Sequence, residues 1–385
     1  MNGSAREMLP RARRIVVKIG TSLLCNKKGQ LNLKRMENLV HDLAGLWQES
    51  REIIVVSSGA IGAGLGRLGF TRLPRTLPEK QAAAAVGQGV LMHLYENFFT
   101  PRGIIVAQVL LTRDDIKNRE RYLNARHTFQ TLLQYRVIPI VNENDTVAVE
   151  EIRFGDNDTL AALVACLVDA DLLVLLTDLD GLYTADPHRE GAGELIPEIS
   201  EITPEVETLA GGRGSAFTTG GMETKLQAAK ITMGAGIPLV IGNGMRAGTL
   251  KRIVAGEKVG TFFVPREDRM QARKRWIAYG SLIQGKVYVD RGAVNALVKK
   301  GKSLLPSGIL RVEGSFEAGS VVSVVDPEGK ELARGISNYS SKAVDLIKGR
   351  NTGEIEGILG YKDYDEVIHR DNLTVISGTG CCPEV

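Results

Sequence analysis

The first two-thirds of the chain alternate between short apolar runs and amphipathic stretches. The apolar runs are almost continuous, as in "RRIVVKIG" and "LLVLLTD". Buried strands of parallel sheets have this composition, because helices cover both faces of such a sheet. The sequence therefore predicts an α/β fold, a mainly parallel open sheet with helices on both faces. We expect strands at 13–20, 52–60, 103–111, 136–144, 172–178 and 237–244, and helices at 33–48, 79–99, 120–134, 157–170, from 221 onward and at 248–256.

The last third of the chain has a different pattern. A length of 385 residues exceeds what one hydrophobic core usually serves. The charge-dense stretch "VPREDRMQARKR" (264–275) is the expected boundary. Short β-rich runs follow it, with turn signals about every ten residues, which predicts a small barrel. We therefore expect domains at 1–265 and 276–385, joined by a linker at 266–275.

Cysteine content and hydropathy indicate the compartment. The chain has four cysteines and no CxxC pair, which argues against a disulfide scaffold and for a reducing environment. No apolar run is long enough to span a bilayer, and the N-terminus lacks the apolar core of a signal peptide. The sequence predicts a protein of a reducing compartment without a membrane partner. A net charge of +3 does not by itself indicate a nucleic-acid partner.

Polar residues stand at the carboxyl ends of the predicted strands. They include Lys18, Ser58, Asp145, Thr177 and Asp178. These strand ends meet at one edge of a parallel sheet, and open α/β sheets bind ligands there. At any single strand the alternative is an ordinary turn, which favours Ser, Asn, Asp and Gly. Several such ends together favour a binding site.

Lys18 lies inside an apolar run, where a lysine needs an anionic partner. The alternative is a surface lysine on an edge strand whose ammonium reaches solvent. Asp156, Asn157 and Asp158, in "FGDNDTL" before an apolar helix, offer the partner. They could also cap that helix or complement its dipole. One cap accounts for one of these residues, not for three.

The stretch "TTGGMETK" (218–225) resembles a phosphate cradle, although its spacing is not that of a P-loop. Gly220 and Gly221 would let backbone N–H groups approach phosphate oxygens at a helix N-terminus. Lys225 falls in the first helical turn, where a cation is unfavourable for the helix itself. This position indicates that Lys225 serves an anion outside the helix. The alternative is a solvated surface lysine.

Together, "VVKIGTS", "VSSGAIGAG", "NENDTVA", "FGDNDTL", "LLTDLDGLYTADP" and "TGGMETKLQAA" resemble the motifs of the amino acid kinase family. The resemblance implies ATP-dependent phosphorylation of the γ-carboxylate of L-glutamate, giving L-glutamyl 5-phosphate, the first step of proline biosynthesis. It also implies Mg²⁺, a cytoplasmic location, a homo-oligomer (dimer or tetramer) and hand-over of the product to glutamyl phosphate reductase. Other members of the family share this core, so an acetylglutamate-like substrate is the alternative.

The resemblance also assigns roles to residues. It implies catalytic roles for Lys18, Asp158 and Lys225, with the aspartate orienting the two lysines, and it assigns no metal ligand. The implied glutamate-binding residues are Ser58, Asp145 and Asn157. The implied nucleotide-binding residues are Lys18, Thr177, Asp178, Thr219, Gly220, Gly221, Met222, Glu223, Thr224 and Lys225.

The C-terminal stretches "KGKSLLPSGILRVEGSF", "ARGISNYSS" and "ILGYKDYDEVIHRDNL" resemble a PUA domain. PUA domains often bind RNA, so RNA binding is a second candidate role. Residues 276–385 contain 13 Lys plus Arg and 14 Asp plus Glu, whereas an RNA-binding domain usually shows a basic patch. The balance favours a role in assembly or regulation over RNA binding.

Overall fold

The computed structural model describes residues 5–26, 31–70, 74, 76–147, 157–185, 193–209, 221–265 and 283–376. The chain divides into two compact units, Met1–Glu267 and Asp268–Val385. The expected linker at 266–275 and the β-rich run at 276–280 lie outside the described residues, as do Asp156, Thr219 and Gly220.

The first unit is built on a large, mainly parallel sheet. Its strand order is β3-β4-β2-β1-β5-β7-β8-β6. All neighbouring strands pair in parallel except β7 and β8, which are antiparallel. The fold class predicted from the sequence is confirmed. The strands are β1 (Arg14–Ile19), β2 (Glu52–Ser57), β3 (Val106–Leu111), β4 (Ile138–Glu143), β5 (Leu172–Thr177), β6 (Glu198–Ile199), β7 (Leu239–Asn243) and β8 (Thr261–Phe263).

Helices accompany the strands, and two apolar clusters fill the space between the layers. The helix expected at 33–48 has those bounds in the structure, and the other expected helices are present with shifted ends. The short helices α1 and α8 and strands β6 and β8 were not expected, nor was α3. The helices are α1 (Thr21–Leu24), α2 (Leu33–Gln48), α3 (Ala60–Leu68), α4 (Leu77–Phe99), α5 (Arg113–Lys117), α6 (Arg119–Gln134), α7 (Asn157–Leu167), α8 (Pro204–Leu209), α9 (Met222–Gly234) and α10 (Thr249–Val254).

Helices α3 and α4 pack with their backbones in contact. A Cβ added to Gly87 would lie 1.7 Å from the carbonyl oxygen of Ala60, and one added to Gly64 would lie 1.8 Å from that of Ala83. Glycine lowers intrinsic helix propensity, which is why the sequence did not predict α3. Its glycines instead allow close packing, and this contact positions α4 beside the end of β2.

The second unit contains a separate five-stranded sheet in the order β10-β9-β11-β12-β13. Strands β9 and β11 are parallel, and the other neighbours are antiparallel. Its own apolar cluster includes Val287, Phe316 and Tyr339. The strands are β9 (Gly285–Val289), β10 (Ile309–Glu313), β11 (Val321–Val325), β12 (Glu331–Ile336) and β13 (Leu373–Val375), and the helices are α11 (Arg291–Val298), α12 (Ser341–Ile347) and α13 (Ile355–Leu359).

The contact between α3 and α4 predicts opposite effects for two glycines of α4. Gly87→Ala should destabilise the protein by about 3 kcal/mol or more, because its methyl group would overlap backbone. Gly89→Ala should stabilise it by about 0.5–1 kcal/mol through helix propensity, since nothing lies within 4 Å of the added Cβ. Urea unfolding of both variants measures the difference. Similar shifts for the two would contradict this packing.

Candidate active site

Asp158 lies between two lysine ammonium groups in the first unit. Lys18 Nζ is 2.5 Å from Asp158 Oδ1, and Lys225 Nζ is 3.0 Å from Asp158 Oδ2. Asp158 is 0% exposed, Lys18 5% and Lys225 7%. Neither lysine is a solvated surface residue. The structure therefore brings together the three residues for which the resemblance implies catalytic roles.

The fold positions each member of this cluster on a different element. Lys18 lies in β1, which pairs with both β2 and β5, so it is not on an edge strand. Helix α7 begins at Asn157, as does the helix expected at 157–170, so Asp158 lies in its first turn and not before it. A carboxylate there complements the helix dipole. Lys225 lies in the first turn of α9.

The electrostatics of the cluster keep Asp158 ionised. Burial opposes ionisation of Asp158, but the ammonium groups of Lys18 and Lys225 outweigh it and hold the pKa of the carboxyl well below its usual range. The carboxylate is therefore charged at neutral pH. Thr224 Oγ1 also lies 3.0 Å from Asp158 Oδ2 and can donate to it. Asp158 thus holds two ammonium groups close together in a buried place, and a pair of cations in this arrangement suits a phosphoryl group.

Two glycines keep space beside the ammonium groups. A Cβ added to Gly20 would lie 3.8 Å from Lys18 Nζ, and a Cβ added to Gly221 would meet nothing within 4 Å. Gly221 is the N-cap of α9, and Met222 and Glu223 are its first residues. The first N–H groups of a helix have no partner within the helix and favour anions. The arrangement fits a phosphoryl group in contact with both lysines.

A chain of amides, two of them buried and one half-buried, lies next to Asp158. Asn157 Nδ2 donates to Ser58 Oγ over 2.9 Å and to Asn142 Oδ1 over 3.0 Å. Asn142 Nδ2 in turn donates to Gln88 Oε1 over 3.0 Å. The structure thus brings Ser58 and Asn157 together, while Asp145 lies in the turn after β4. Asn142 is one of the polar residues at the carboxyl end of a predicted strand, but it was assigned no role from the sequence, and Gln88 was missed.

Two of the expected nucleotide-binding residues lie at the end of β5. Thr177 Oγ1 and Ser22 Oγ both donate to Asp178 Oδ1, over 3.0 and 3.2 Å. Nearby, Arg246 Nη2 donates to Asp180 Oδ2 over 3.0 Å. Asp180 belongs to the motif "LLTDLDGLYTADP" but was not predicted as a site residue. Ser22 lies in α1, directly after β1, so this contact joins the carboxyl ends of β1 and β5.

Within the parts of the chain that the structure describes, no group of three or more His, Cys, Asp or Glu residues could hold a metal ion. The central carboxylate, Asp158, is already engaged by two lysines. These residues do not fit a resident Mg²⁺ site.

The described helices include none long and apolar enough to cross a membrane.

Comparison with known families agrees with this architecture. Residues 13–243 match the amino acid kinase family, and residues 285–359 match the PUA domain. The chain belongs to the amino acid kinase family and carries a C-terminal PUA domain.

Several proteins named glutamate 5-kinase are similar to the chain over nearly its whole length. The one from Moorella thermoacetica is 59% identical over 371 residues, covering 96% of this chain and 98% of that protein. Those from Carboxydothermus hydrogenoformans and Caldanaerobacter subterraneus are 56% and 55% identical, over 96% and 94% of this chain and 100% and 98% of theirs. A solved UMP kinase from Bacillus anthracis, at 17% identity and a TM-score of 0.46, covering 66% of this chain and 97% of its own, is too distant to inform the site.

The buried cluster predicts that Asp158→Asn loses both activity and stability. Without the carboxylate, two buried ammonium groups face each other, and breaking a buried ion pair costs about 3–5 kcal/mol. The lysines also lose their orientation, and a misplacement of ~1 Å can cost on the order of 10²-fold in rate. Urea unfolding and kcat for ATP consumption, measured on one preparation, test both effects.

Asp169→Asn is a matched control. Asp169 forms a largely buried ion pair with Arg126 but precedes β5, at the opposite end of that strand from Asp178. Asp169 has a φ of 55°, which asparagine also tolerates. This variant should lose stability and keep its kcat. Near-normal turnover in Asp158→Asn would contradict the orienting role of Asp158 and leave it only the role of complementing the helix dipole.

Proposed function

We propose that this chain catalyses ATP-dependent phosphorylation of the γ-carboxylate of L-glutamate, giving L-glutamyl 5-phosphate, the first step of proline biosynthesis. The observation that carries the proposal is the pair of buried ammonium groups, Lys18 and Lys225, held on one carboxylate, Asp158. The high identity to proteins named glutamate 5-kinase supports the choice of substrate.

In this mechanism a γ-carboxylate oxygen of glutamate attacks the γ-phosphorus of ATP. A new P–O bond forms, the bond from that phosphorus to the β,γ-bridging oxygen breaks, and ADP leaves with the electron pair. Lys18 and Lys225 offset the charge on the transferring phosphoryl group, and Asp158 fixes where the two cations lie. No general base is required, because the γ-carboxyl of free glutamate titrates near ~4.3 and is ionised at neutral pH.

The nucleotide is assigned to the ends of β5 and α9. Thr177 and Asp178 lie at the end of β5. The first turn of α9 offers helix N–H groups and the Lys225 cation to the phosphates, and Thr219 and Gly220 are assigned to the same nucleotide. Mg²⁺ enters with ATP in this proposal, since the described carboxylates do not form a site for it. Bound to phosphate oxygens, the ion would neutralise charge on the nucleotide.

Glutamate is assigned to the other side of the cluster, with Ser58, Asp145 and Asn157. We further propose a cytoplasmic homo-oligomer (dimer or tetramer). An acyl phosphate is prone to hydrolysis, which favours hand-over of the product to glutamyl phosphate reductase.

We assign the catalytic domain to 1–265, the linker to 266–275 and the PUA domain to 276–385, and we give the PUA domain a role in assembly or regulation.

Trapping the acyl phosphate tests the substrate. With ATP and hydroxylamine, the protein should give hydroxamate from L-glutamate, and much less from N-acetylglutamate or aspartate. Hydroxylamine reacts with the activated carboxyl whichever residue supplied it, so the three substrates are compared on equal terms. Hydroxamate from N-acetylglutamate but not from glutamate would replace the proposed substrate with the acetylglutamate-like alternative.

Truncation after Glu267, where the first compact unit ends, tests the role of the PUA domain. The shortened protein should fold and still phosphorylate glutamate, because Lys18, Asp158 and Lys225 all precede the cut. Circular dichroism and hydroxamate formation measure the two properties. A folded, soluble truncation without activity would mean that the PUA domain completes the site.

A further inference from the structure

Gln88 is buried on α4, and its side-chain nitrogen has no hydrogen-bond partner among the residues that the structure describes. The residue is 8% exposed. An unpartnered buried donor costs free energy, and an apolar residue in its place would remove that cost. A glutamine at this position therefore calls for a role beyond packing.

The direction of the amide chain follows from one backbone atom. Asn157 Nδ2 lies 3.3 Å from the carbonyl oxygen of Ser57, which can only accept a hydrogen bond. Asn157 must therefore direct Nδ2 towards this carbonyl. Asn142 then accepts the other hydrogen bond from Asn157 through Oδ1. Asn142 then turns Nδ2 towards Gln88, which must accept through Oε1. Amide orientations are normally assigned from such networks, and here a carbonyl sets the polarity of every link.

This polarity determines what the site offers to a ligand. Asn157 uses the hydrogens of Nδ2 on protein acceptors, so Oδ1 is the atom that can accept from a ligand. Ser58 Oγ accepts from Asn157, so its hydroxyl hydrogen can be donated. An acceptor beside a donor suits the ammonium and carboxylate groups at the α-carbon of a free amino acid.

We propose that Gln88 is a positioning residue that acts through Asn142 to hold Asn157 and Ser58 in the polarity that recognises glutamate. This inference rests on the proposed function. Gln88 contacts the substrate only through that chain, because its own amide is enclosed by protein. The unpartnered nitrogen is the cost of placing an acceptor opposite Asn142.

Gln88→Met tests the proposal with a side chain of similar shape whose thioether sulfur is only a weak hydrogen-bond acceptor. The KM for glutamate should rise about tenfold, as expected for the loss of about one hydrogen bond's worth of orientation, while the KM for ATP stays unchanged. The unfolding midpoint should stay close to that of the wild type, since the variant removes one unpartnered donor and leaves another on Asn142.

Two further variants separate positioning from packing. Asn142→Leu breaks the same chain, so the double variant with Gln88→Met should be no worse in glutamate KM than Asn142→Leu alone. Thr232→Val is the matched control: Thr232 is buried near the end of α9, and its Oγ1 lies 3.2 Å from the carbonyl oxygens of Ala228 and Ala229, outside the amide chain. It should alter stability without changing the glutamate KM.

An unchanged glutamate KM in Gln88→Met, an equal rise in both KM values, or additive effects in the double variant would overturn the proposal. These outcomes are distinct from failure of the proposed function. In that case the wild-type protein itself would give no hydroxamate from glutamate.

Discussion

The buried contact of one carboxylate with two ammonium groups is the interaction on which the site depends. Lys18 and Lys225 are tolerated in the interior because Asp158 pairs with both, and burial of an unpaired charge is costly. Stability and the proposed chemistry are therefore linked: the pairing keeps the two lysines buried, and it also holds both ammonium groups where the proposed phosphoryl group would bind.

The rest of the first unit orients this contact. The central position of β1 places Lys18 away from any sheet edge, and the glycine contact between α3 and α4 brings Gln88 to the end of β4. One side of Asp158 then faces the N-terminus of α9, and its neighbour Asn157 leads into the amide chain. In the proposed function, phosphate chemistry and amino-acid recognition thus fall to adjacent residues of one helix, α7.

Much of this was accessible from the sequence, for physical reasons that differ between elements. The central strands were predictable because burial on both faces makes them continuously apolar, and α2 because its apolar residues follow helical spacing. Lys18 and Asp158 were found because charges in apolar surroundings are conspicuous. Helix α3 was missed because its glycines serve packing against α4. Gln88 was missed because its partner, Asn142, is distant in the sequence, and a single amide on a helix gives no periodic signal.

The strand order β2-β1-β5-β7 has a consequence for synthesis on the ribosome. Lys18 is made early, Asp158 far later, and Lys225 later still, yet the three must share one buried place. A nascent chain that ends before α7 therefore has a lysine in its central strand without the carboxylate of Asp158, and burying that strand would be less favourable. The parallel sheet also relies on contacts between distant segments, which form slowly. We therefore expect the centre of the sheet to close after α7 has emerged, and the cluster to be complete only once α9 has followed with Lys225.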